Sequence, residues 1–183
     1  MKIKQLVTLM MGLGLAMGTV SVAQAGTVTF KGSIIDAPCS ITPETVDQTV
    51  NLGQISNKTL VKQGKSTPQS FSIKLDKCDV TTLKNVTATF SGAASAGNAN
   101  LLGITGTAKG ASIAITDGAS RVIKLGEATE KQTIQKGNNT LAFAAYLQGD
   151  PDTPATTTGG KDTPAVIVPG EFSSVVDFTL AYQ

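Results

Sequence analysis

Apolar residues in this chain recur at every second position, and no window holds a helical interval. Phe71, Ile73 and Leu75 alternate with Ser72, Lys74 and Asp76, while Val86, Ala88 and Phe90 alternate with Thr87 and Thr89. Ile113 and Ile115 keep the rule, Val122, Ile123 and Leu125 surround Lys124, and Leu141, Phe143 and Leu147 share one face of a further stretch. Successive side chains of a strand point to opposite faces, so each run offers one face to a core and one to water. Turn formers lie between the runs: Ser91-Gly92, Gly97-Asn98, Asp117-Gly118, Gly137-Asn138-Asn139 and Asp150-Pro151. Short alternating strands punctuated in this way predict an all-β sandwich or barrel. One turn of helix is expected near residues 57–62. The stretch from Gly149 to Gly170 is dense in Pro, Thr, Gly and Asp and reads as a long surface loop before a last strand.

The chain opens with Lys2 and Lys4, an uncharged run from Leu6 to Val22, and Ala23-Gln24-Ala25. A basic start, an apolar stretch and a small-x-small site form a secretory signal peptide, with the cut expected after Ala25. The run is short for a bilayer span of roughly 20 residues and is interrupted by Gly12, Gly14 and Gly18. Cleavage also changes the charge. The full chain holds 15 basic and 13 acidic residues, and losing the two lysines leaves 13 of each. A neutral surface with Arg121 as its one arginine gives nucleic acid no footprint, so none is expected as a partner. Two cysteines, Cys39 and Cys78, in an exported chain read as one disulfide.

The chemistry that is missing narrows function further. The sequence has no histidine, which removes the Ser-His-Asp triad, the Cys-His pair and the usual zinc sites. No cofactor, metal or catalytic residue is expected. Without tryptophan, a sugar-stacking platform has little support. Gly64-Lys65-Ser66 copies the tail of a phosphate loop, but Thr59 stands where the first glycine belongs.

Both ends of the processed chain alternate. Val28, Phe30, Gly32 and Ile34 fall on one face of residues 26–35, with Thr27, Thr29, Lys31 and Ser33 on the other. Near the C-terminus Phe172, Val176, Phe178, Leu180 and Tyr182 are expected to share one face of a strand. Neither stretch carries the proline or inward charge that blunts an exposed edge. The pattern permits two arrangements: the ends pair within one molecule, or each seeks a partner elsewhere.

These ends also carry a family likeness. Gly26-Thr27-Val28-Thr29-Phe30-Lys31-Gly32 leads through Asp36-Ala37-Pro38 to Cys39-Ser40-Ile41, and Asp47-Gln48-Thr49-Val50 leads to Leu52-Gly53-Gln54. Ser66, Pro68, Phe71, Ile73, Leu75 and Cys78 follow, and the chain closes with Gly170 fourteenth from its end and a penultimate Tyr182. Along its whole processed length the chain resembles the pilins of chaperone–usher fimbriae, in particular the major subunits of type 1 and P-like pili.

The resemblance implies an incomplete immunoglobulin-like β-sandwich that lacks its last strand. It implies three segments: a signal peptide over 1–25, a donor-strand extension over 26–38, and a pilin domain over 39–183. Val28, Phe30, Gly32 and Ile34 would be the donor residues. Gly170, Phe172, Val176, Phe178, Leu180 and Tyr182 would form the strand that borders the groove and is recognised by a chaperone. The implied partners are identical subunits in a filament, a periplasmic chaperone, an outer-membrane usher, and tip or adaptor subunits. The implied destination, reached through the periplasm, is an extracellular fimbrium on the bacterial surface. Two rival readings are a minor adaptor subunit and a secreted monomeric β-sandwich that binds glycans. A tip adhesin would need a receptor domain ahead of Cys39, where the sequence leaves no room.

Overall fold

A computed structural model of the chain describes residues 26–154 and 161–183, so the expected signal peptide lies outside the described residues. The chain divides between Ile35 and Asp36. In the second unit the strands are β1 (Ser40–Ile41), β2 (Gln69–Cys78), β3 (Asn85–Gly92), β4 (Thr105–Gly106), β5 (Ala111–Asp117), β6 (Val122–Ile123), β7 (Gln132–Thr133), β8 (Gly137–Gly149), β9 (Phe172–Ser173) and β10 (Val176–Tyr182). Two single-turn helices, α1 (Pro43–Val46) and α2 (Asn57–Leu60), interrupt the first long connection.

One sheet has the order β1-β2-β8-β5-β6, a second the order β10-β3-β7, and β4 pairs with β9. Every pairing is antiparallel. The period-two pattern fixes the registers, because a one-residue slip would turn each apolar set to water. Thus Phe71 faces Phe143 and Ile73 faces Leu141 across β2 and β8, while Phe178 faces Phe90 and Leu180 faces Ala88 across β10 and β3. The inner faces bury Ile73, Leu75, Val86, Phe90, Ile115, Leu141 and Phe143 in one core. Three rings cross at its centre. Phe71 and Phe143 stack with centroids 5.5 Å apart, and Phe90 meets Phe143 edge-on at 5.1 Å. Both are favourable aromatic geometries.

Local chemistry closes the connections. The Ser56 side chain accepts a hydrogen bond from Lys58 N at 3.3 Å and opens α2, whose Leu60 is buried. A side chain at Gly64 would run into the Thr59 carbonyl, so a glycine is required where the chain folds back. The adjoining Ser66 donates its backbone N–H to the Leu147 carbonyl (2.8 Å) and accepts from Leu147 N through its hydroxyl (3.0 Å). The fragment that imitates a phosphate loop is therefore a clasp on β8. Buried Ser112 hydrogen-bonds the side chains of Ser95 and Asp150, which anchors the start of the long loop. Beyond β8 that loop is tied by antiparallel bridges between Thr153 and Thr163 and between Lys109 and Val168.

One expectation is corrected. Phe172 does not continue the strand of Val176 to Tyr182: it sits in β9, against β4. The Ser174 hydroxyl donates to the Gly103 carbonyl at 2.6 Å, and Val175 turns out to solvent at 80% exposure. The even spacing from 172 to 176 preserved the alternation and concealed the break.

Cys39 and Cys78 form a disulfide that joins the residue before β1 to the end of β2. It closes a separation of 39 residues, worth about 4 kcal/mol in the chain-entropy view. Replacing both cysteines with serine should lower the yield of folded subunit by destabilising the body, and urea unfolding of the oxidised and double-serine proteins would measure it. A midpoint unchanged by the double substitution would show that the crosslink does not support the fold.

The turn between β5 and β6 supplies a pH signature. Burial raises the pKa of Asp117, but hydrogen bonds from Arg121 N, the Arg121 guanidinium and Ala119 N outweigh it and hold the carboxyl below its ordinary value. A depressed folded-state pKa gives stability that is complete above the unfolded value and lost as pH falls through the folded one. Asp117→Ala should therefore destabilise by about 1–3 kcal/mol at neutral pH. The gap from wild type should shrink below pH ~4, which denaturant midpoints at both pH values would test.

Candidate functional site

β10 ends its sheet. One edge pairs with β3 over seven residues, and no strand lies along the other among the described residues. An open strand edge is a row of backbone donors and acceptors awaiting a partner. Beside it runs a groove of about 1420 Å³. One wall is Val46 at the end of α1 and the segment from Asp47 to Ile55, and the other runs from Ile167 to Phe178. Phe71, Phe90, Leu102, Ile113, Ile115 and Leu147 form the floor. Phe90, Ile115, Leu102 and Leu147 are also buried core residues. The groove is thus the sandwich interior seen where the sheet stops.

The walls are held by specific contacts. A side chain at Gly170 would meet Thr107 and come within 2.6 Å of Ala108 N. Its absence lets the chain close on residues 107–108, where Thr107 N donates to the Glu171 carbonyl and Glu171 N donates to the Thr107 hydroxyl, both at 3.0 Å. At the far end Gln183 N donates to the Asn85 carbonyl, and Asn85 N donates to the Gln183 carbonyl, both at 2.9 Å. Tyr182 packs half-buried against the core, and burial pushes its phenol pKa up.

The expected residues separate into groups. Val176 and Phe178 line the groove, while Leu180 and Tyr182 pack on the main core beyond it. Gly170 and Phe172 line its other end, and Phe172 packs on Leu60, Ala111 and Leu147. Residues 26–35 form no strand, and Val28, Phe30 and Ile34 are 74%, 89% and 104% exposed. The sequence marks residues 47–54 by the family likeness and Phe71, Phe90, Ile113, Ile115 and Leu147 by core alternation, without assigning either set to a groove. Val50 and Leu52 alternate, a signal of extended chain, but alternation does not distinguish a groove wall from a strand.

Comparison with known proteins agrees with this architecture. The family described as fimbrial protein matches residues 28–183. "Fimbria A protein" of Serratia marcescens is 58% identical over 180 residues, covering 96% of this chain and 97% of the relative. "Major MR/P fimbria protein" of Proteus mirabilis is 45% identical over 188 residues, covering the whole of both. Among solved structures, the P pilus rod subunit PapA is 29% identical with a TM-score of 0.66, covering 80% of this chain and all of that one. A subunit from the structure of a chaperone–usher pilus is 30% identical with a TM-score of 0.72, covering 91% of this chain and 99% of that one. With its open immunoglobulin-like sandwich and these relatives, the chain belongs to the fimbrial protein family and is a structural pilus subunit.

Proposed function

We propose that this protein is the repeating subunit of an adhesive fimbria and polymerises head-to-tail by strand donation. Residues 26–35 of one copy would enter the groove of the next, with Val28, Phe30, Gly32 and Ile34 turned inward. The observation that carries the reading is the joint presence of an open β10 edge over an apolar groove and an exposed alternating segment that forms no strand. Chaperone–pilin complementation is an established instance of strand addition, and the mode is adopted from there. A periplasmic chaperone would fill the groove before assembly, an outer-membrane usher would host the exchange, and tip or adaptor subunits would occupy the distal end.

The physics favours a long-lived contact. Burying Val28, Phe30 and Ile34 contributes roughly 1.5–3 kcal/mol each. Backbone hydrogen bonds along β10 would hold the incoming strand at the spacing of a sheet neighbour. A head-to-tail contact uses different surfaces on its two partners and does not close on itself, so it extends into a filament.

Deleting residues 26–35 should leave a subunit that accepts a strand but cannot give one. Electron microscopy of the truncated protein should find no homopolymer, and abundant normal filaments would refute the donor assignment.

Gly32→Leu tests the inward register. An added side chain at Gly32 has nothing within 4 Å in the free chain, so the substitution leaves the subunit's own fold alone. Inside a groove it would overpack, typically at about 1–3 kcal/mol. Polymerisation should be slowed strongly by Gly32→Leu and only mildly by the outward Ser33→Leu. Equal rates for the two variants, followed by light scattering, would remove the register.

A further inference from the structure

One side chain in residues 26–35 is charged, Lys31, and it is exposed. The solvent face of β10 carries Asp177, Thr179 and Ala181, whose neighbours on β3 are Ser91, Thr89 and Thr87. Asp177 is the single charge on that shared face. It is exposed and makes no ion pair among the described residues.

We propose that Lys31 of one copy pairs with Asp177 of the next and so sets the register of the donated strand. The inference rests on the strand-donation reading above. Apolar alternation alone leaves the register underdetermined. A one-residue slip would expose every inward side chain, but a two-residue slip keeps Val28, Phe30 and Ile34 inward. A charge on the outer face breaks that degeneracy. Directly opposite residues have Cβ atoms about 4.5–5.5 Å apart, whereas a slip of two moves Lys31 to a diagonal about 7–8 Å away.

The register so chosen agrees with the groove. With Lys31 across from Asp177, its neighbours Phe30 and Gly32 fall across from Val176 and Phe178 in either strand direction. Those are the two inward β10 residues that line the groove. Other charges on the rim compete less well. Asp47 stands on the wall that forms no strand, Glu171 precedes β9, and Lys109 has the wrong sign. Asp177 alone belongs to the strand that an incoming segment would pair with and points to the face that Lys31 would share.

The test follows polymerisation of the full chain by light scattering, with a synthetic peptide of residues 26–35 as competitor. The wild-type peptide should inhibit. A Lys31→Glu peptide should inhibit about five- to ten-fold less at low salt, since like charges placed opposite repel, and the gap should close near about 1 M salt. On an Asp177→Lys chain the ranking of the two peptides should reverse. Asp177→Asn provides a milder form: on that chain the wild-type and Lys31→Gln peptides should inhibit equally. Equal inhibition by the wild-type and Lys31→Glu peptides on both chains would overturn the pairing. So would a wild-type advantage over Lys31→Gln that persists on Asp177→Asn, or a reversal produced by Asp47→Lys or Glu171→Lys in place of Asp177→Lys. If the wild-type peptide inhibits no chain at all, the strand-donation reading falls with it, whereas inhibition without charge dependence removes only the Lys31 assignment.

Discussion

The structure depends on an unfilled place beside β10. A backbone edge in a sheet carries polar groups that need partners, and an open sandwich exposes apolar side chains to water. Among the described residues β10 has both: it pairs with β3 alone, and beside its other edge lies a groove floored by Phe71, Phe90 and Leu147. The rest of the body keeps that opening in shape. Close approach at Gly170 and the hydrogen bonds between Thr107 and Glu171 set one wall. The Gln183–Asn85 pair secures the end of β10. The disulfide holds the start of β1 to the end of β2, at the base of the segment that leads to the other wall.

The groove floor is continuous with the core, and this couples binding to stability. Phe90 contacts Phe143 in the aromatic trio and also lines the groove. A strand laid over Phe90 therefore completes the layer in which that ring is packed. Any partner that binds the folded state alone raises its stability by mass action. For a contact that finishes a core, the gain includes relief of exposed apolar surface in the acceptor. If the filament contact is the proposed strand donation, subunit stability and filament stability are two aspects of one packing problem, in contrast to two finished proteins meeting at a surface.

The body was legible in the sequence because period-two alternation is a direct physical consequence of the pleat. Phe71, Ile73, Leu75, Val86, Phe90, Leu141 and Phe143 all sit in or against the core as the pattern implies. The helix turn near Asn57 and the long loop after Gly149 follow from equally local chemistry. Alternation fails where a break preserves parity, as between Phe172 in β9 and Val176 in β10. The groove itself is less legible. Its floor residues are ordinary core residues by type and spacing, and what makes them a site is the lack of a neighbour. Such an absence is a property of topology, which no window of sequence contains. The likeness to pilins supplied that topology, and the open β10 edge gives it a physical form.

On the strand-donation reading, selectivity in a chain with so few charges would need more than an apolar floor. An apolar groove accepts any alternating apolar strand, so the floor discriminates partners weakly, and selectivity needs a feature that the wrong strand or the wrong register would violate. Two features of residues 26–35 have this character. On the proposed donor register, Gly32 would offer no side chain on the inward face and Lys31 the one charge on the outward face. Volume on one face and charge on the other are independent constraints, and a strand shifted by two residues would break both at once. The electrostatic part is screened by salt, whereas the steric part is not. The two can therefore be separated by ionic strength alone: at high salt the groove should still reject bulk at position 32 while losing its preference for a positive residue at position 31.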